Sequence, residues 1–313
     1  LCSVVKAELI YGALKSEHPD RNLSNLLKFF TPYDSVPFDD RCVHEYGRLR
    51  IDLERAGTPI GPHDTMIAAI KEHERYIVGK NPLQIEKHWQ AMYRWPRWRG
   101  GPILNSAVSA VDIALWDIAG KVLDAPVFQL LGGAAKKKIR LYIGGGSAEG
   151  VHRAKEMGFT AVKTGPNLAV WEADQVGRPG NGVIKQPFDV KAEITVLRQM
   201  RDAAGDDFDI LYDAHTQFKP EMALEFCTRV EELRPFFVEE PMLTSDLGKM
   251  KWLADRVKVP LCQGESQFMK FGFQEMIDRH LISYVNPDVI HAGGITECKK
   301  IASMAEAHFI DVA

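Results

Sequence analysis

Three carboxylates stand where short apolar runs end, each a fixed step from the next. Asp213 closes Leu211-Tyr212-Asp213, Glu239 closes Phe237-Val238-Glu239, and Glu265 follows Gln263-Gly264; 26 residues separate each acid from its successor. A step of that size holds one strand, one helix and their turns, so the three acids fall at one point of successive βα repeats. Three anions brought together at low effective dielectric repel strongly, and the arrangement asks for a cation. Hard oxygen donors with places left for water and substrate suit Mg²⁺, at about 2.0–2.1 Å. Any one of these acids alone would read more plainly as a solvated loop carboxylate or an ion-pair partner. Their common register is what that plainer reading leaves unexplained. His215 lies two residues past Asp213, and on an outgoing strand the period of two turns it to the same side.

The elements that must carry these residues are legible from about Lys71 onward. A helix is expected from Pro82 to Tyr93 and a strongly apolar one from Ser106 to Leu123. After Leu130-Leu131-Gly132-Gly133, short β-branched runs alternate with amphipathic helices. The runs cover residues 139–143, 161–164, 209–212, 236–238, 260–263 and 284–290, with a stub at 310–312. Six complete βα steps and a seventh begun argue for a parallel sheet, closed as a barrel rather than doubly wound. Gly144-Gly145-Gly146 lacks the GxGxxG spacing of a dinucleotide-binding loop and reads as a tight turn. The fold class is therefore α/β, an incomplete (β/α)₈ TIM-type barrel, with catalytic groups expected where its strands end.

Composition narrows the classes of function. The chain has 313 residues, enough for about two domains. A hydrophobic share of 45% with 26% charged residues describes a folded globular protein rather than a disordered one. A net charge of −3 gives no electrostatic reason for a nucleic-acid or membrane-surface partner. No uninterrupted apolar run reaches the length of a membrane span, and Lys6 and Glu8 interrupt the N-terminal stretch too early for a signal peptide. Cys2, Cys42, Cys227, Cys262 and Cys298 are scattered and odd in number, which suits reduced thiols in the cytoplasm. The opening at Leu1 and the close at Ile310-Asp311-Val312-Ala313 read as cut ends.

Residues 1–70 have another grammar: helices over Val4 to Leu14, Asn22 to Phe30 and Asp40 to Ala56, an extended piece at Ser35 to Phe38, and a further helix from Asp64. The strings Ser3 to Gly12, Tyr46-Gly47-Arg48-Leu49-Arg50 and Gly57-Thr58-Pro59-Ile60-Gly61-Pro62-His63-Asp64 resemble PIN domains, the ribonuclease fold of VapC-type toxins. That resemblance implies magnesium-holding acids at Glu8 and Asp64. Two carboxylates of about four make a poor metal nuclease site. The bland alternatives are a solvated helix residue and an N-cap.

A second resemblance covers about residues 71–313. Asp112 to Lys121, Leu211 to His215, Val238-Glu239-Glu240-Pro241, Gly264-Glu265 and Asn286 to Glu297 resemble the enolase superfamily, mandelate racemase subgroup, nearest to sugar-acid dehydratases of the galactonate dehydratase type. The resemblance implies Mg²⁺ ligation by Asp213, Glu239 and Glu265, and proton delivery to a departing hydroxyl by His215. It gives Asp288 the task of orienting a histidine base on the seventh strand, expected about two positions past Ala313, and Lys163 a hold on the substrate carboxylate. Some members carry two lysines one residue apart at the second strand; here the string is Lys163-Thr164-Gly165, which lowers the racemase reading.

Taken together, the sequence reads as a PIN-like fragment (1–70), the helical part of an enolase-type capping domain (71–135) and a barrel truncated in its seventh strand (136–313). The expected activity is Mg²⁺-dependent removal of water from a sugar acid to give a 2-keto-3-deoxy acid, by a cytoplasmic homo-oligomer whose partner is a small molecule. The rivals are a PIN-type ribonuclease fragment and a non-catalytic fusion fragment.

Overall fold

The computed structural model describes residue 13 and residues 18–30, 62–96, 99–166 and 188–313. The expected helices at Val4 to Leu14 (Ala13 apart) and Asp40 to Ala56, the extended piece at Ser35 to Phe38, and Glu8 lie outside the described residues. The chain divides into two compact units, Leu1–Ile118 and Ala119–Ala313.

The first unit is helical where described. Helix α1 runs Pro19–Phe30, α2 Pro62–Ile77, α3 Ile85–Arg94, and α4 Gly101–Val122, whose last turn passes into the second unit. Helix α2 begins two residues before the expected start, with Pro62 at its head, and continues unbroken through residue 70. On α3, Ile85, His88, Trp89 and Met92 form a buried stripe at helical spacing, and His88 Nε2 lies 2.8 Å from the Asn81 carbonyl oxygen. Helix α4 is long and apolar enough, by length and composition, to cross a membrane. Its buried residues include the polar Asn105, Ser109 and Asp112, while Ile103 and Val122 are exposed.

The second unit is a curled sheet of seven parallel strands in sequence order, with helices between them. The strands are β1 Ile143–Gly144, β2 Ala161–Thr164, β3 Asp209–Asp213, β4 Val238–Glu239, β5 Leu261–Gln263, β6 Tyr284–Val285 and β7 Asp311–Val312. A short α5 (Val127–Leu130) precedes them. The connecting helices are α6 Ala148–Glu156, α7 Val190–Ala204, α8 Pro220–Val230, α9 Leu247–Ala254, α10 Met269–Asp278 and α11 Gly294–Glu306. Strand β1 and strand β7 are the two edges, so the expectation of an incomplete barrel holds for these residues.

Strand periodicity sorts side chains to two faces. Val162, Ile210, Tyr212, Val238, Leu261 and Val285 point outward into the core shared with the helices, where Tyr212 packs 4.4 Å from Phe226, centroid to centroid. Ala161, Leu211, Phe237 and Cys262 form a separate inner cluster, joined by Phe236 and Tyr284. The helices begin on local caps: Ser147 Oγ accepts from Gly150 N, Asp189 Oδ1 from Ala192 N and Asp246 Oδ1 from Lys249 N, while Pro220 opens α8.

Two strands, β1 and β6, fall short of their sequence runs by more than a single residue. Ile139 and Leu141 are largely exposed, and the chain there is held by Arg140, whose guanidinium donates to Thr160 Oγ1, the Thr160 carbonyl and Asp209 Oδ2. Only Ile143–Gly144 joins the ladder. Strand β6 stops at Val285 because Pro287 has no N–H to donate and Asp288 Oδ1 accepts from Ile290 N at 2.7 Å, turning the chain.

His73 on α2 is 4% exposed, and neither ring nitrogen has a hydrogen-bond partner among the described residues. Burial, aided by the nearby Arg75 charge, pushes its pKa down to about 4. Above pH ~6.5 the imidazole is neutral in both folded and unfolded chains. As pH falls from there toward 4 the unfolded chain gains a proton that the folded one refuses, and up to about 3 kcal/mol of stability is lost. Thermal melts across this window are expected to fall more steeply for the unsubstituted chain than for His73→Leu; parallel curves would show that His73 is not the cause.

Candidate metal centre

Asp213 and Glu239 are paired in register on adjacent strands, and Glu265 follows β5, the next strand along. One oxygen from each of the three acids lies within 4.8 Å of the others. At that upper limit the three atoms sit roughly 2.8 Å from a common point, so shifts of under about 1 Å would bring all three to the Mg²⁺ distance. Asp213 and Glu239 are each 1% exposed, whereas Glu265 is exposed at the rim. The inner cluster of Leu211, Phe237 and Cys262 lies earlier on the same strands as a dry floor.

That floor has an electrostatic cost. Burial, with the charge of Asp213 added, pushes the Glu239 carboxyl up to about 7. Lys163 offsets it: its Nζ donates to Glu239 Oε2 at 2.9 Å and lies 3.0 Å from Asp213 Oδ2. Burial works to lower the lysine's pKa, yet the two carboxylates outweigh it and hold the ammonium above its ordinary value. Asp213 Oδ2 is buried and has no hydrogen bond of good geometry, its contacts being the ion pair with Lys163 and an approach of His215 Nε2 to 3.4 Å. A buried carboxylate oxygen in that condition, facing two other acids, fits a divalent cation as an additional partner.

Other residues hold the acids in place. Asn286 Nδ2 donates to Glu239 Oε1, and Gly264 is what lets it approach. At Gly264, φ is +155°, and a Cβ would lie 2.7 Å from Asn286 Oδ1 and 2.9 Å from its backbone nitrogen. Glu240, buried beside Glu239, accepts from Ser266 Oγ at 2.9 Å and faces Gly264 N and Ser266 N at 3.4 Å, tying the loop that carries Glu265 to the end of β4.

His215 is where the sequence places it, for a different reason. Strand β3 ends at Asp213, and His215 and Thr216 take left-handed backbone angles, φ 50° and 58°. The period of two therefore stops before His215. Its approach comes instead from a turn in which His215 N donates to Asp213 Oδ1 at 2.9 Å and Thr216 N to the Glu240 carbonyl at 2.7 Å. Left-handed angles at two consecutive non-glycine residues are strain of the kind found at functional sites. Asp288 does not join the converging acids; it caps its own turn, with His291 Nε2 3.9 Å from its Oδ2. Glu240, Ser266 and Asn286 were missed. The one signal for them was adjacency, since each neighbours a residue already singled out or quoted in a motif.

Comparison with known proteins settles the family. A model described as the enolase C-terminal domain-like family matches residues 147–313, and one for the mandelate racemase/muconate lactonizing enzyme N-terminal domain matches residues 56–132. The chain belongs to the enolase superfamily. An enolase-superfamily member from Salmonella Typhimurium is 30% identical at TM-score 0.73, covering 80% of this chain and 68% of that one. A protein from Agrobacterium radiobacter provisionally named galactarate dehydratase, solved with sodium and L-malate, is 29% identical at TM-score 0.71, covering 81% and 64%. The 3,6-anhydro-D-galactonate cycloisomerase of Zobellia galactanivorans is 29% identical at TM-score 0.70, covering 81% and 68%. The PIN-like reading of residues 1–70 finds no support. The N-terminal match starts at residue 56 and takes in Gly57 to Asp64, the string on which that reading chiefly stood. Of its two acids, Asp64 falls inside helix α2.

Gly264→Ala is expected to push Asn286 away from Glu239, since the added methyl group meets backbone as well as side chain. Divalent-ion affinity, read by titration calorimetry, should fall about tenfold or more, alongside a stability loss of about 1–3 kcal/mol. Unchanged affinity would show that Asn286 does not position the acid.

Proposed function

We propose that this enolase-superfamily chain carries the magnesium site of a sugar-acid dehydratase, which takes a proton from the carbon beside a carboxylate and expels a β-hydroxyl to leave a 2-keto-3-deoxy acid. The observation that carries the reading is the convergence of Asp213, Glu239 and Glu265, with an ammonium and an imidazole both against Asp213. A proton beside a carboxylate is too weakly acidic for a base near neutral pH unless the negative charge that develops is stabilised. Mg²⁺ held by the three acids would supply that charge.

The protein's own groups divide the rest. Lys163, on the inner face of β2 with its side chain about a quarter exposed, would draw the substrate carboxylate toward the acids that its Nζ already contacts. His215 Nε2, on a side chain about half exposed, is placed to deliver the proton that a departing hydroxyl requires. Asp288 would orient the imidazole base of the following strand. The turn that carries His215 supports dehydration over racemisation, because it closes the place that a side chain at Gly165 would take: a Cβ there would lie 2.8 Å from the Asp213 carbonyl oxygen and 3.2 Å from His215 Cε1. The relatives named for galactarate dehydration and for anhydrogalactonate cycloisomerisation support a sugar acid as the substrate class.

The test is a panel of aldonic and aldaric acids incubated with Mg²⁺ and scored for 2-keto acid, using the protein as its reading frame encodes it, including whatever follows Ala313. Turnover of at least one acid is expected. It should be abolished by EDTA and lowered at least about 100-fold in Asp213→Asn and in His215→Ala. Full turnover in EDTA would overturn the metal assignment. Equal turnover by His215→Ala would remove that residue from the mechanism.

A further inference from the structure

The triad contains a cation of the chain's own. Lys163 stands on β2 one strand away from Asp213, with Val162 and Thr164 turned to the opposite face, so its side chain rises along the inside of the sheet. Its Nζ touches Glu239 Oε2 and Asp213 Oδ2, one oxygen from each of the two buried acids of the candidate metal centre. The Tyr142 ring lies 5.8 Å from the same nitrogen. The side chain keeps 26% of its exposure, so the ammonium is tethered at the site without being walled in.

We propose that Lys163 is the resident counter-ion of the carboxylate triad and sets its affinity for divalent cations by competing for the same two oxygens. This rests on the reading of the triad as a metal site. Asp213 and Glu239 are in register, buried and like-charged, and without a positive charge between them they would be driven apart. The lysine holds them parallel. A divalent ion entering the centre meets oxygens already engaged and a neighbouring positive charge, so its binding is weakened in proportion to the hold that Lys163 keeps. Lys163 is on this account a positioning residue for the metal centre, whatever it also does for substrate.

Removing the ammonium has opposite consequences with and without metal, a pattern that loss of packing alone does not produce. Lys163→Met keeps the stem and deletes the charge. Mg²⁺ titrated calorimetrically should bind this variant on the order of tenfold more tightly than the unsubstituted chain. In EDTA its melting temperature should fall by roughly 2–6 °C, and saturating Mg²⁺ should restore it. Adding Glu239→Gln, which removes one of the repelling charges, should recover part of the EDTA loss, while Lys163→Arg should behave like the unsubstituted chain throughout.

Several results would overturn the proposal: Mg²⁺ affinity in Lys163→Met no higher than in the unsubstituted chain, an EDTA loss of equal size with or without Glu239→Gln, or a variant that stays unfolded at saturating Mg²⁺. If neither protein binds Mg²⁺ at all, the metal reading itself falls and the competition falls with it. Binding by the unsubstituted chain with no gain in the variant sinks this inference alone.

Discussion

Like charges held close on a dry surface are the constraint around which this site is organised. Asp213 and Glu239 lie side by side in register above Leu211, Phe237 and Cys262, where water cannot screen them. Left alone, such a pair would take up a proton, and the upward shift of Glu239 shows how strongly the surroundings press for that. The neighbours answer with positive charge and with donors. Lys163 takes one oxygen of each acid, Asn286 takes the other oxygen of Glu239, and the His215 backbone takes the other oxygen of Asp213. Each acid is thereby fixed in direction, and that preorganisation is what a metal centre needs before any ion arrives.

The strands can present such groups because their two faces are sorted so completely. Outward residues bind the sheet to its helices, while inward residues divide along the strand into an apolar floor and a polar rim. The rim is assembled from the ends of β2, β3, β4 and β5 and the residue after β6, so no single loop determines it. An architecture of this kind serves several chemistries, and the relatives bear names for both elimination and cycloisomerisation. Groups around the converging acids would distinguish one reaction from another, and Lys163, Gly165 and His215 are the ones gathered beside them here.

Much of this was readable from residue order, and the failures have physical causes. The 26-residue spacing predicted convergence because repeated βα units put equivalent positions on adjacent strands, a rule that ignores side-chain detail. The extents of β1 and β6 were overestimated because an apolar β-branched run reports burial tendency, whereas pairing depends on neighbours: Arg140 supplants the ladder before β1, and Pro287 with Asp288 ends it after β6. His215 does lie beside Asp213, but not through the period of two, since left-handed turns at His and Thr have no sequence signature comparable to glycine's. Glu240 and Asn286 escaped notice because their importance lies in whom they touch. The PIN-like reading arose from short strings, and at Gly57 to Asp64 a longer match to the enolase-type N-terminal domain displaced it.

Arg140 sits at the feet of the strands, bonded to Thr160 just before β2 and to Asp209 at the first residue of β3, at the opposite end from Asp213, Glu239 and Glu265. The segments that lead into β1 and β2 are thus tied to the start of β3. Cohesion gathers at one pole of the sheet and the converging carboxylates at the other, so changes around those carboxylates leave the Arg140 clasp untouched. An ion pair this exposed contributes at most about 1 kcal/mol, so a change at Arg140 would loosen the feet of β2 and β3 while the ladder that seats Lys163 opposite Leu211 stays closed.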